Sequence, residues 1–288
     1  MTAVDLPAGA CDCHTHVIGD RATYPMVADR HYTPALASHE DLLAHLARNG
    51  LQRVVIVQPS VYGTDNRCML DSLDRLDGAG RGVAVLDESA DDGSLRALHR
   101  RGVRGLRVNL ESAGARNADA AHSVLLNWSE RIAPLGWHLQ VYAALDVIAS
   151  LAERLATLPV PVVLDHFAMV PATTAQDDPR ITPLLALLRD GNAYVKLSAP
   201  YRLAASGHPD REQVSAWART FVQAAPERML WGSDWPHTAR DPGKAAHEES
   251  TYRKFPEDAL IHGIGEWLPT ASLRQQVLVE NPARLYGF

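Results

Sequence analysis

The sequence predicts an α/β chain folded as one (β/α)8 TIM-type barrel, a single domain over residues 1–288. Three observations predict it. Apolar strand-like runs alternate with helical patterns eight times. A length of 288 residues suits one such barrel. The runs are almost continuously apolar, as in Val54-Val-Ile-Val57 and Val162-Val-Leu164, which is what parallel strands covered on both faces require. An open doubly wound sheet is the competing architecture.

The first strand is expected over 10–18, before Gly19. In a regular strand Asp12, His14 and His16 share one face, and Cys11, Cys13, Thr15 and Val17 the other. Three titratable groups on one face are costly to bury without purpose. A helix follows over 38–49, with Ser38 and Asp41 as a loose capping box and Gly50 as its stop. The pattern then runs strand 53–58, helix 65–76, strand 82–86 and helix 94–101, closed by Gly102. It continues through strand 103–108, helix 118–134, strand 137–142 and helix 146–158. Strand 161–165, helix 181–190, strand 193–198, helix 211–225, strand 228–232 and helix 271–283 complete it. Leucines 184, 185, 187 and 188 read as core. The stretches 19–37, 169–180 and 235–269 are too long for simple connectors and are expected to form the walls and lid of a pocket.

Composition narrows the functions. The chain is 46% hydrophobic and 22% charged, with a net charge of −6 and no basic block, so nucleic acid is not an expected partner. No apolar run approaches the roughly 20 residues of a membrane span, so neither is a membrane. The first residues lack the pattern of a secretion signal. Three cysteines do not suggest a disulfide framework, and a reduced cytoplasmic enzyme is expected.

In such a barrel, side chains at the strand ends converge on one mouth. Read in order they are His14 and His16; Ser60 with Tyr62 and Thr64; Arg107 with Asn109; Tyr142; Asp165 and His166; Lys196 with Ser198, Tyr201 and Arg202; and Asp234 in Trp231-Gly-Ser-Asp-Trp-Pro-His237. Each falls where an apolar run stops. His39, His45, His99, His122 and His138 read as surface or supporting residues, and His237 as a shaper of the site.

His-x-His on the first strand, Asp-His on the sixth and the eighth-strand motif resemble the amidohydrolase superfamily. The closing Asn281-Pro-Ala-Arg-Leu-Tyr-Gly-Phe288 resembles its amidohydrolase-2 branch. Within that branch, Arg30-His-Tyr-Thr-Pro34, Val57-Gln-Pro-Ser60, Gly63-Thr-Asp-Asn66, Gly102-Val-Arg-Gly-Leu-Arg-Val-Asn109 and Trp137-His138 resemble the 2-pyrone-4,6-dicarboxylate lactonases. They are similar almost equally to galactarolactone isomerases and other sugar-acid lactonases.

The resemblance implies hydrolysis of a small carboxylated lactone. Asp234 is then the general base that activates water, and His14, His16 and His166 polarise the carbonyl. Arg107 and Arg202 correspond to the anion clamp; Tyr32, Ser60, Thr64 and Tyr142 correspond to the other substrate-binding positions. Metal-dependent relatives add a histidine at the end of the fifth strand, where this chain has Tyr142. No cofactor is therefore favoured. If zinc is held, its ligands are His14, His16, His166 and Asp234. Two family arginines are replaced by Ala113 and Met169; Arg116 or Arg104 could partly substitute, although Arg104 reads rather as a structural residue at the strand's other end. A lactone with one anionic group, against one apolar wall, is the expected substrate. Isomerisation of a sugar-acid lactone, a zinc-dependent hydrolase or decarboxylase, and a non-catalytic binding barrel are the alternatives.

Overall fold

Eight parallel strands form one sheet in a computed structural model that describes residues 4–110, 118–254 and 259–288. The strands are β1 (Cys11–Thr15), β2 (Arg53–Val57), β3 (Gly80–Ala84), β4 (Val103–Asn109), β5 (His138–Tyr142), β6 (Val162–Leu164), β7 (Ala193–Ser198) and β8 (Met229–Gly232). Each pairs with its sequence neighbour. The ring closes where β1 meets the chain leaving β8. Asp234 N donates to His14 O at 2.9 Å and His16 N to Trp235 O at 2.8 Å. The (β/α)8 barrel expected from the sequence is the one formed.

Helices α1 (His39–Arg48), α2 (Arg67–Asp74), α3 (Asp92–Arg100), α4 (Ala118–Ile132), α5 (Leu145–Ala156), α6 (Ile181–Asp190) and α7 (Arg211–Ala224) wrap the outside. Ser38 and Asp41 form a full capping box on α1. Helix α3 starts earlier than expected because Asp91, not Ser94, caps it: the Asp91 carboxylate accepts from Ser94 N at 2.7 Å. The last expected helix is broken into Ala271–Gln275, a π-helical turn over Gln276–Glu280, and Asn281–Tyr286.

Two apolar layers sit on either side of the sheet. Val54 and Ile56 of β2 face the helices, whereas Val55 and Val57 face inward with Val83, Val163, Tyr194 and Leu230. Cys11 and Cys13 belong to this inner layer. The C-terminus seals the barrel floor, with Arg53 and Arg81 5.3 and 4.6 Å from the centre of the Phe288 ring. Arg104 bonds the carbonyls of His99 and Val103 at the start of β4, so it belongs to the far end from the mouth.

The strand-one pattern needs correcting. The β1–β2 register slips between Asp12 and Thr15. Period-two alternation therefore fails, and Asp12 turns away from the mouth to meet His45 of α1 at 3.2 Å. Its other oxygen accepts from His14 N at 3.1 Å and Ser233 N at 2.9 Å, stitching β1 to β8. His39, His45 and His138, read as surface or supporting residues, are buried.

The long connectors are tied together. Thr33–Pro34 and Glu249–Ser250 pair as short parallel strands, and Thr33 Oγ1 donates to Ala246 O at 2.7 Å. A further helix, α8 (Ala259–Trp267), lies within the expected lid.

Candidate active site

The mouth is framed by unusual backbone. Among the described residues eight non-glycines have positive φ. Seven of them, His166, Phe167, Ala168, Met169, Ala199, Asp234 and His237, follow β6, β7 or β8. Each costs roughly 1–2 kcal/mol for an L-residue, and such strain gathers where a fold must aim side chains. Four consecutive left-handed residues, His166 to Met169, turn the chain out of β6 just as His166 enters the site.

Asp234 lies at the centre and is fully buried. Its Oδ2 accepts from Tyr201 Oη at 2.5 Å and from Arg202 Nη2 and Nε at 2.9 and 3.2 Å. Its Oδ1 receives no hydrogen bond and lies 3.5 Å from His14 Nε2, 3.5 Å from His16 Nε2 and 3.9 Å from His166 Nε2. One oxygen is thus saturated with donors while the other faces three imidazoles. Burial pushes this carboxyl up, but Arg202 and the imidazoles outweigh it and hold it well below the usual carboxylate range.

The imidazoles differ from one another. Burial pushes His14 well below its ordinary value and His166 down to about 3, so both are neutral near pH 7. His16 Nδ1 lies 2.8 Å from Val57 O. A carbonyl only accepts, so Nδ1 carries a proton and a neutral His16 presents a bare Nε2. His166 Nδ1 pairs with Ser198 Oγ at 2.8 Å.

Beneath them is a charged layer. Asp165 Oδ2 accepts from Gln140 Nε2 at 3.1 Å and Arg107 Nη2 at 3.3 Å. Lys196, also fully buried, donates to Gln140 Oε1 at 2.6 Å.

Of the residues singled out from sequence, His14, His16, His166 and Asp234 come together here. Arg107 and Tyr142 join them at the rim: the Tyr142 ring lies 5.7 Å from that of His166, and the Arg107 guanidinium 5.6 Å from the Tyr142 ring. Tyr32 bonds Thr238 and feels the charges of Arg202, Asp234 and Arg107. Ser60 and Thr64 are exposed on the loop after β2, and no described contact joins them to the imidazoles. Tyr62 points elsewhere and holds Gly19 N at 3.0 Å. Arg202, expected only as a substrate clamp, also pairs with Asp234. Met169 is half-buried at the end of the left-handed turn. Ala113 and Arg116 lie outside the described residues.

Tyr201 and Lys196 stood in the strand-end series without a role, and Gln140 was missed. Their signal was there: Gln140 and Lys196 interrupt apolar strands at inward positions.

The donor set suits a small cation. Tetrahedral zinc with bonds of about 2.0–2.1 Å separates its ligands by about 3.3–3.4 Å, close to the spacing between Asp234 Oδ1 and the Nε2 atoms of His14 and His16. The bare Nε2 of His16 is the form a metal ligand needs. His14, His16 and Asp234 form one candidate group, and His14, Asp165 and His166 another.

The family model described as Amidohydrolase matches residues 11–288. The chain belongs to the amidohydrolase family. It is 37% identical to the 2-pyrone-4,6-dicarboxylate hydrolase of Comamonas testosteroni, over 98% of this chain and 91% of that protein. Identity to the 4-sulfomuconolactone hydrolase of Hydrogenophaga intermedia is 31%, over 98% and 90% of the two chains. A Pseudomonas putida structure assigned as a 2-pyrone-4,6-dicarboxylic acid hydrolase superposes with a TM-score of 0.79 at 31% identity, covering 98% of both chains. Among the described residues no helix of this amidohydrolase is long and apolar enough to cross a membrane.

Proposed function

We propose that this amidohydrolase opens a small anionic lactone by adding water across the ring ester. The observation that carries this reading is the asymmetric Asp234 carboxylate. Oδ2 is anchored by Tyr201 and Arg202, and Oδ1 is open among three imidazoles. A buried carboxylate with one oxygen anchored and the other left unpartnered among imidazoles is suited to act as a base.

The steps follow from these atoms. Water gives a proton to Asp234 Oδ1 as its oxygen bonds to the lactone carbonyl carbon. The carbonyl oxygen becomes an oxyanion and is met by ring N–H groups of His14 and His166. His16, expected with them to polarise the carbonyl, spends its Nδ1–H on Val57 O and instead helps to orient the water. Collapse of the tetrahedral intermediate breaks the ring C–O bond, and the proton on Asp234 passes to the departing ring oxygen. The product is the open-chain hydroxy acid. Removing one oxyanion donor is expected to slow the reaction roughly 100- to 1000-fold.

Arg107 and Arg202 favour an anionic substrate, because guanidinium matches carboxylate geometry. Half-buried Met169 favours a single anionic group on a ring with one apolar edge. Zinc, where bound by His14, His16, His166 and Asp234, would supply Lewis-acid polarisation of the carbonyl. We favour catalysis without a resident metal, because Tyr142 rather than an imidazole ends β5. The three cysteines, free and buried, fit work in the reducing cytoplasm.

A panel of mono- and dianionic lactones, assayed with and without chelator alongside elemental analysis of the protein, tests this. Chelator-resistant opening of a monoanionic lactone with little bound metal is expected. Failure to open any lactone would overturn the reading. Loss of activity on chelation, with one zinc per chain, would replace it by the zinc-dependent one.

A further inference from the structure

We propose that Lys196 is a positioning residue that fixes the ring proton of His14 on Nε2, making that imidazole a donor toward the reacting carbonyl. The inference deepens the lactonase reading and rests on it for the kinetic arm alone.

Lys196 balances the charge of buried Asp165, 3.7 Å away, and also reaches His14. Its ammonium lies inside the barrel with no solvent exposure. Gln140 Oε1 anchors it at 2.6 Å, which points it at His14 Nδ1, 3.4 Å away. Gln140 is itself oriented, because its Nε2 is committed to Asp165 Oδ2 at 3.1 Å. The amide therefore cannot flip without losing both contacts.

An ammonium carries donors and no acceptor. The hydrogen between Lys196 and His14 must come from lysine, so His14 Nδ1 keeps its lone pair. A neutral ring then carries its proton on Nε2, the atom 3.5 Å from Asp234 Oδ1. His14 Nε2 has no protein hydrogen-bond partner, which leaves that N–H for a substrate oxygen. The competitor is Asp165 Oδ1, 3.4 Å from the same Nδ1. If Asp165 took an Nδ1–H, Nε2 would be bare and unable to stabilise an oxyanion. The two contacts to Nδ1 are equal in length, 3.4 Å each, and what favours the lysine is its anchoring by Gln140 Oε1 at 2.6 Å, which aims an ammonium N–H at that nitrogen. Asp165 instead acts as counter-ion to Lys196 at 3.7 Å. The arrangement inverts the familiar serine-hydrolase one, where a carboxylate holds the histidine proton on Nδ1 and leaves Nε2 as a base. Here the base is Asp234, and the imidazole is needed as a donor.

The test is nitrogen NMR on 15N-histidine-labelled protein, with His14 assigned by difference from His14→Gln and metal content measured on the same sample. Protonated and bare ring nitrogens resonate far apart. A protonated Nε2 and bare Nδ1 are expected; a protonated Nδ1 overturns the inference. In Lys196→Met the proton should move to Nδ1, and kcat should fall roughly 100-fold, the loss of one oxyanion donor, with KM little changed. An unchanged tautomer in that variant also overturns it. Should Lys196→Met not fold, Asp165→Asn decides. The proposal expects Nε2–H to persist, and a tautomer that changes on removing Asp165 contradicts it. The spectra need no substrate, so a chain that opened no lactone yet kept Nε2–H would lose the lactonase reading and keep this one.

Discussion

Tyr201→Phe removes one oxygen and little else. The ring remains 4.9 Å from the Arg253 guanidinium and 6.3 Å from the His237 ring. What disappears is the 2.5 Å bond to Asp234 Oδ2. A hydrogen bond to a charged group contributes about 1.5–3 kcal/mol. Arg202 still donates twice to that oxygen, so no orphaned carboxylate remains and the lower part of the range applies, about 2 kcal/mol. For a chain of this size that lowers the melting temperature by roughly 4–8 °C. If the same energy is needed to hold Oδ1 at its angle, kcat falls about 10- to 30-fold. Scanning calorimetry and steady-state kinetics on the variant measure both. A variant with wild-type melting and wild-type kcat would refute the claim that Tyr201 anchors the base.

Two further perturbations probe the seam and the barrel floor. A Cβ on Gly232 would lie 2.7 Å from His14 Cβ and 2.8 Å from His14 N, across the β8–β1 closure where neither backbone can give way. Gly232→Ala should cost about 1–3 kcal/mol and most of the activity; a fully active, equally stable variant would contradict this. His138 sets a pH dependence of stability. Burial pushes it down to about 3, whereas an unfolded histidine titrates near 6.5. Between those values the unfolded chain holds a proton that the folded chain refuses. The contribution is complete above about pH 6.5 and is lost as pH falls toward 3, by about 2 kcal/mol between pH 7 and 5. Urea midpoints should therefore drop with acid, and His138→Gln should flatten the slope. An unchanged slope would remove His138 from the explanation.

The barrel was legible because parallel strands advertise themselves as apolar runs and because helix stops such as Gly50 and Gly102 punctuate them. Capping was legible at Ser38, whereas the start of α3 was set two residues late because the Asp91 cap, which accepts from Ser94 N, was not recognised. The faces of β1 were misread. Alternation assumes a constant register, and the slip between Asp12 and Thr15 is set by pairing with β2. The two histidines survived that error because both still reach the mouth. The anchoring of Asp234 by Tyr201 was not legible. Nor was the contact of Lys196 with His14, 182 residues apart in the chain, since such a contact exists only once the ring closes. Ser60 and Thr64, expected from the family resemblance to bind substrate, lie exposed on the loop after β2.

Asp234→Asn is the most direct measurement. The amide is nearly isosteric, and Oδ1 is the atom assigned to take the proton. Turnover of an anionic lactone should fall at least about 1000-fold, while calorimetric titration still shows the lactone binding with nearly native affinity. A variant that turns over within tenfold of the native rate would contradict Asp234 as the base.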